Sequence, residues 1–575
     1  MLLEKFETLI DTPEAVEELR KLILDAAMRG KLVPQDPNDE PASVLLEKIK
    51  EEKERLVKEK KIQKQKVLPP VESSYKIPEN WIWTRIGNIV YFERGITFPA
   101  TAKMEHMRDG LIACARTTNV QEQFNWSDMI YIDKGYIKGK QEKLVRTGDI
   151  LMSSANSREL VGKVSYMDVV YGELTFGGFL LCIRTLKPCF SKFVYYLFRK
   201  MFICGEIQRL SSQTTNIANI NINKLSLLKV PLPPYQEQKR IVAKLDQLMT
   251  FCDHLKETII QRQKQADRLN QSAFTYLQQS QSRKELENNL RFVLNNFNIL
   301  CTRKEDVQLL RQTILSLAVQ GKLVPQDPND EPASVLLEKI KEEKERLVKE
   351  GKIRKQKPLS PVKEEEIPYE VPEGWEWVRL GSICWQITDG THTTPAYTES
   401  GIPFLSVKDI SKGRLDFSNT KFISKETHKA LIKRCNPQYG DILLTKVGTT
   451  GIAKVVDTHK EFSIFVSLAL LKVYKNEIDP YYLEMTINSP LVREQSKEGT
   501  AGVGNKNLVL KKIKNFIIPL PPLNEQKRIV AKVDQLMSLC NQLEELLERS
   551  NQAVNQLLQS LLKKAFSNQH ETVPV

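Results

Sequence analysis

The amino-acid sequence predicts an α/β (α+β) protein in which two mixed α/β domains are separated by long antiparallel coiled-coil helices, the chain forming an internal pseudo-two-fold repeat. Three observations predict this. Gly30 to Glu59 reads GKLVPQDPNDEPASVLLEKIKEEKERLVKE, and Gly321 to Glu350 repeats those thirty residues without a change. A second repeat follows later in each half, PLPPYQEQKRIVAKLDQLMTFCDHLKE from Pro231 and PLPPLNEQKRIVAKVDQLMSLCNQLEE from Pro519, and each copy opens a heptad pattern. Between the repeats lie two segments of similar length that resemble each other only in outline. The order is A, X, B, A, X′, B, so near-identical parts are set to meet identical partners and the divergent parts different ones.

Taken in chain order, the expected parts are an N-terminal helical region (1–70), a first divergent domain (71–230), a central helical region (231–362), a second divergent domain (363–518) and a C-terminal helical region (519–575). At 575 residues, and about 100–200 residues per domain, three to five structural units are expected. Each A segment supplies two helices, one ending near Gly30 or Gly321 and one starting near Pro41 or Pro332. The second mixes Glu and Lys at i and i+4 with a Leu/Ile/Val stripe, which gives it a charged face and an apolar one.

Each X segment opens on a shared signature, IPENWIWTRIGNI from Ile77 and VPEGWEWVRLGSI from Val371, and each carries a Gly-Asp-Ile-Leu strand entry at Gly148 and Gly440. Short β-rich runs precede helical stretches near 192–210 and 480–494, the pattern of a mixed α/β domain. Segment B places Ile241, Leu245, Leu248, Cys252, Leu255, Ile259, Ala266, Leu269, Ala273 and Tyr276 on alternating steps of four and three, broken only at Arg262. Its twin runs Ile529, Val533, Leu536, Cys540, Leu543, Leu547, Val554, Leu557 and Leu561, broken at Ser550. About forty helical residues reach roughly 60 Å. Ile241, Leu245, Leu248, Leu255, Ile529, Val533, Leu536 and Leu543 are therefore the expected core of a helical spacer.

The net charge of +14 leans toward a polyanionic partner. Residues 71–230 hold 21 basic and 14 acidic side chains, a net of +7, while 363–518 hold 21 and 19, a net of +2. Loops rich in side chains that can read base edges or hold phosphates punctuate both X segments. In the first, the candidate DNA-contacting residues are Arg94, Thr97, Arg116, Thr117, Thr118, Asn119, Ser154, Asn156, Arg158, Gln213, Thr214, Asn216 and Asn219. In the second they are His392, Thr393, Lys408, Lys446, Thr449, Thr450, Asn505, Lys506 and Asn507.

Other function classes find little support. No apolar run approaches the roughly 18 residues of a membrane span, and the first residues lack the basic and apolar regions of a signal peptide. A cytoplasmic location is expected. The nine cysteines are far apart without a CxxC pair, as expected of thiols in a reducing compartment. No G-x-x-x-x-G-K-[ST] phosphate loop is present. Asn436-Pro437-Gln438-Tyr439 is one residue from the Asn-Pro-Pro-Tyr pattern of amino-methyltransferases but has no glycine-rich cofactor loop beside it. Asp168 with Glu173 lacks the lysine of a metal-dependent nuclease site, and the lone His392 has no counterpart in the first segment. No catalytic residue and no metal site is expected in this chain.

The tandem of GKLVPQDPNDEPAS and NEQKRIVAKVDQLM repeats around two unlike segments resembles the specificity (S) subunit of type I restriction-modification systems, most like the type IB group. DGTHTTPAY with GIPFLSVKDI, and GDILLTKVGTTG, carry the resemblance into the second X segment. In the first, ARTTNV stands for SVKDI and SSANSRELVG for TKVGTTG, and no Asp-Gly-Thr-His occurs. The resemblance implies that X and X′ are target-recognition domains, each reading one half of a split asymmetric double-stranded DNA site. It implies that the helical regions bind two modification (M) methyltransferase subunits, which carry S-adenosylmethionine and methylate an adenine in each half-site. Restriction (R) subunits would supply ATP- and Mg-dependent translocation and cleavage, leaving this chain non-catalytic and without a cofactor of its own. Association with the nucleoid follows when DNA is bound. The alternatives are a coiled-coil scaffold without DNA contact and the S subunit of a fused restriction-methylation enzyme.

Overall fold

The computed structural model describes residues 10–64, 67–213, 217–355, 357–501 and 507–567. It divides into two compact units, one comprising residues up to Gln263 and from Gln552 onward, the other Lys264–Asn551. Each unit carries one A segment, one X segment and a stretch of each of the two long helices.

The first unit begins with α1 (Pro13–Met28), whose N-cap Thr12 accepts a hydrogen bond from the Ala15 amide, and α2 (Ala42–Lys58). Its X segment holds a four-stranded antiparallel sheet in the order Val90–Arg94, Leu180–Thr185, Ile150–Ser153, Val164–Tyr166. Beside it lies a three-stranded sheet in which Leu111–Ala115 pairs antiparallel with Ile130–Asp133 and parallel with Leu174–Phe176. Helix α3 (Ser191–Ile203) buries Phe193, Val194 and Phe198 in the main core. A two-stranded ribbon, Ile82–Arg85 with Lys229–Leu232, ties the two ends of the domain together before α4 (Tyr235–Gln279) begins.

The second unit contains α5 (Arg283–Asn295), α6 (Lys304–Val319), α7 (Ala333–Lys349), α8 (Pro480–Asn488) and the start of α9 (Leu523–Ser567). Its strands repeat the first unit's plan. The four-stranded sheet runs Cys384–Asp389, Leu468–Val473, Ile442–Thr445, Ala453–Val455. The mixed sheet centres on Ile402–Leu405, and the closing ribbon pairs Glu376–Arg379 with Ile517–Leu520.

In each unit the antiparallel partner of the long helix is the A-segment helix. Glu17 on α1 faces Lys256 on α4 at 2.6 Å, while Asp39, farther along, faces Arg240 at 2.5 Å. In the second unit Lys304 on α6 faces Glu544 on α9 at 3.0 Å, and Asp330 faces Arg528 at 2.6 Å. Ile241, Leu245 and Leu255 are buried with Leu248 packed against them, and Ile529 and Val533 are buried with Leu536 and Leu543 alongside. The four-three spacing of the sequence thus forms most of the seams; on α9 Leu557 departs from it and faces solvent, and on α4 the departure lies beyond Ile259. Beyond Ile259 the buried side chains on α4 are Asn270, Ala273, Phe274 and Leu277, while Leu269 and Tyr276 face solvent. The cause is Asp306 at the start of α6. It accepts the Asn270 side-chain amide at 2.7 Å, so a buried polar pair takes the place that hydrophobicity alone assigned to leucine.

The thirty identical residues include a glutamine, Gln35 and Gln326, that makes the equivalent contact with a buried glutamate in both copies. Glu237 is fully buried, accepting Gln35 Nε2 at 2.6 Å and Trp81 Nε1 at 2.9 Å, and Glu525 accepts Gln326 and Trp375 at 3.0 and 3.0 Å. Burial pushes both carboxyls above their ordinary range, against those hydrogen bonds. Gly30 and Gly321 adopt φ of +70° and +69°, and a Cβ on either would stand 2.4 Å from Cγ of Pro78 or Pro372. Here glycine is required by both conformation and space.

Candidate nucleic-acid interface

Each X segment is clamped to its long helix by one glutamine. Gln238 Oε1 accepts the Phe190 amide, at the start of α3, at 2.9 Å while its Nε2 donates to the Pro233 carbonyl. Gln526 does the same with the Asp479 amide, at the start of α8, at 2.9 Å and the Pro521 carbonyl at 3.0 Å. Both glutamines are fully buried. The Glu-Gln pair of the B repeat thus joins helix, ribbon and X segment within each unit.

The candidate residues converge on one end of each domain because four strand termini meet there. In the first domain the Ser154 amide donates to the Phe179 carbonyl at 2.9 Å, Gly95 to Leu180 at 3.2 Å, Ile96 to Phe176 at 2.9 Å, and Gly177 to Ala115 at 3.0 Å. In the second, Lys446 donates to Ser467 at 2.9 Å, Gly390 to Leu468 at 3.2 Å, Thr391 to Ile464 at 3.2 Å, and Phe465 to Leu405 at 2.9 Å. The two frames are the same backbone structure built from unlike sequence. A Cβ at Gly95 would fall 2.0 Å from the Gly177 carbonyl oxygen, and one at Gly390 2.0 Å from that of Ile464, so the crossing requires glycine in both.

On this frame Arg94, Thr97, Thr118, Arg158 and Asn219 are exposed, and Arg116, Thr117, Ser154 and Asn156 half-buried. Arg116 is partly occupied by an ion pair to Asp128 at 2.7 Å, and Asn156 donates to Ser153 Oγ at 3.1 Å. Asn119 is fully buried, accepting the Arg116 amide and donating to the Asn125 and Asp128 carbonyls. It shapes the loop and has no free edge to present. Asn219 is carried by a short strand that pairs with Ala155. Thr214 and Asn216, and the side chain of Gln213, lie outside the described residues, as do Asn505 and Lys506.

In the second domain His392, Thr393, Lys408, Thr449 and Asn507 are exposed and Thr450 is half-buried. Lys446 is not available. Its ammonium is buried against Asp389 at 2.7 Å, and Asp389 also accepts Arg434 at 2.6 Å and approaches His392 Nε2 at 3.3 Å. Burial alone would raise the Asp389 carboxyl, but hydrogen bonding and charge from Lys446, with His392, hold it below its ordinary range. The result is a neutralised anchor from which two exposed cationic or protonatable groups, Arg434 and His392, project. Neither Asp389 nor Arg434 stood among the sequence candidates. Their signal is tertiary, since Arg434 lies 45 residues from Asp389.

The Asn436-Pro437-Gln438-Tyr439 motif is accounted for locally. Gln438 and Tyr439 belong to the turn before Asp441, where the Gln438 amide donates to the Asp441 carboxylate at 2.8 Å and Tyr439 stacks on His459 with ring centroids 4.6 Å apart. Among the described residues no group of His, Cys, Asp and Glu is arranged to hold a metal, and no helix is long and apolar enough to cross a membrane.

A family model described as the type I restriction modification DNA specificity domain matches residues 78–265 and 372–553. The specificity subunit of the type I restriction enzyme EcoAI of Escherichia coli is 32% identical over 96% of this chain and 94% of its own length. That of EcoEI, also from Escherichia coli, is 31% identical with the same coverage. A solved chain from work on complex assembly and conformational transition of the type I R-M system shares the fold, with a TM-score of 0.50 and 21% identity over 86% of this chain and 99% of that one.

Proposed function

The chain belongs to the DNA specificity subunits of type I restriction-modification systems, and from that premise we propose that each of its two loop ends reads one half of a split double-stranded DNA target. The observation that carries this is the matched pair of backbone frames. Four equivalent hydrogen bonds recur at the two ends, while the side chains mounted on them differ at nearly every candidate position. One frame with two side-chain sets is what an asymmetric bipartite site demands, because base identity is read by side-chain donors, acceptors and apolar groups.

The repeated helical parts take the complementary role. Their inward faces are committed to the Glu-Trp-Gln contacts described above, but the outer Glu and Lys residues of α2 and α7 are exposed and identical. They offer the same surface twice, which fits two copies of one modification methyltransferase subunit. In this reading S-adenosylmethionine is bound by that partner, ATP and Mg by restriction subunits, and this chain chooses the sequence without catalysing a step. It works in the bacterial cytoplasm, on the nucleoid when bound to DNA.

The test is binding by the complex assembled with its methyltransferase partner, measured on bipartite and single-half-site duplexes across salt concentration. Expected is a preference for the bipartite site that persists as overall affinity falls with salt. Affinity without sequence preference would contradict the reading.

A further inference from the structure

The two frames carry unlike side chains at one shared turn position. In the turn that leads into the central strand, the residue whose carbonyl receives the Ser154 or Lys446 amide is Phe179 in the first domain and Ser467 in the second. Ser467 points inward, 5% exposed, and its hydroxyl accepts the Val407 amide at 3.1 Å. Phe179 is 64% exposed. The same backbone position therefore holds a structural hydroxyl in one reader and an aromatic ring in solvent in the other.

The ring is not loosely hung. The Phe179 carbonyl accepts three donors, the Ser154 amide at 2.9 Å, the Ser154 hydroxyl at 3.0 Å and the Ala155 amide at 3.3 Å. On the other side Thr97 Oγ1 lies so close to Gly178 that a Cβ there would stand 3.2 Å from it. The strand carrying Asn219 pairs with Ala155. Phe179 thus stands in the middle of a polar strip running from Thr97 through Ser154 to Asn219. Exposing a phenyl ring costs hydrophobic free energy in the free protein, and a fixed backbone at the centre of a polar surface gives that ring a defined place to be covered.

Resting on the split-reading proposal above, we infer that Phe179 is a specificity-determining residue of the first half-site, its ring packing on the methyl group of a thymine in the major groove. A phenyl ring offers no hydrogen bond, and the thymine C5-methyl is the apolar feature a base edge presents there. The flanking Thr97, Ser154 and Asn219 supply the hydrogen-bonding neighbours. Ser467 makes no such contact in the second half-site.

The experiment uses the complex with its methyltransferase partner on its methylation-mapped target, with each thymine of the first half-site replaced in turn by deoxyuridine. One replacement is expected to weaken the wild-type complex about fourfold, the worth of one buried methyl group. Phe179→Ala and Phe179→Ser, the latter matching the second domain, should weaken binding to the natural site and become indifferent to that replacement. Deoxyuridine in the second half-site should affect all three proteins equally. Because the ring is exposed, both variants should assemble and unfold as the wild type does.

The inference is overturned if no deoxyuridine position affects the wild type, if the variants keep the discrimination, or if they fail to assemble with the methyltransferase, which would place the ring at that interface. A ring wedged between base pairs would show as variant loss without methyl dependence and would overturn it too. A wild-type complex that binds without any sequence preference would instead sink the split-reading proposal itself.

Discussion

Replacing Asp389 by alanine isolates what holds the second reading end together. The carboxylate and the Lys446 ammonium are 2.7 Å apart with side chains 4% and 6% exposed, so removing the acid leaves a buried, uncompensated cation. Such a loss costs about 3–5 kcal/mol, a large share of the roughly 5–15 kcal/mol that holds a domain folded. Arg434 and His392, with side chains 56% and 63% exposed, are worth at most about 1 kcal/mol each. Arg434→Ala should therefore cost little, and Lys446→Met less than Asp389→Ala, because Asp389 would retain two partners. The double variant Asp389→Leu with Lys446→Met should recover most of the loss, apolar side chains replacing a buried pair at little cost. Peptide-resolved hydrogen exchange on the full chain is the assay. In Asp389→Ala, protection of Ile442–Thr445 and Leu468–Val473 should fall by about two to four decades, at about 1.4 kcal/mol per decade, while Ile150–Ser153 and Leu180–Thr185 keep theirs. Unchanged protection in the second domain, or an equal loss in both, would mean that the Asp389–Lys446 pair does not hold this domain together.

Trp81→Phe and Trp375→Phe each strip the indole donor from a buried carboxylate and should cost about 1–3 kcal/mol, nearly equally at the two sites, as read by urea unfolding. Burial raises the folded-state values of Glu237 and Glu525 above their ordinary 4.5, so the folded chain binds protons more tightly there than the unfolded one. Their contribution is fully present below pH 4.5 and is lost as pH rises through the folded values. Glu237→Gln and Glu525→Gln should flatten the fall of stability with pH above about 4.5, measured by urea titrations at several pH values. Inserting one helical turn near Gln279 should change the preferred spacer between half-sites and leave both half-sites as they were, checked by methylation mapping.

Periodicity and repetition in the sequence carry much of this architecture. The heptads of the B segments become the buried faces of α4 and α9 because a four-three pattern depends only on neighbours along the helix. That same dependence explains where the pattern misleads. Leu269 and Tyr276 fit the spacing, yet the seam passes through Asn270, whose partner Asp306 lies 36 residues away. Asn119 and Lys446 have the chemistry of DNA-reading side chains, but their hydrogen bonds are spent inside the domain, which only the folded loop reveals. The Glu237 to Trp81 bond spans 156 residues. It was visible in the sequence solely as two conspicuous motifs, the EQKR and the Pro-Glu-x-Trp repeats, with nothing to join them. Phe179 was hidden for the opposite reason, since a phenylalanine beside a β-rich run reads as core until the turn places it outside.

Methylation mapping after exchanging residues 363–518 for the corresponding segment of another specificity subunit shows directly whether the two domains read their half-sites independently. Two independent readers on one repeated frame predict that the first half-site and the spacer stay the same while the second half-site becomes the donor's. A change in both half-sites, or in neither, would contradict the account.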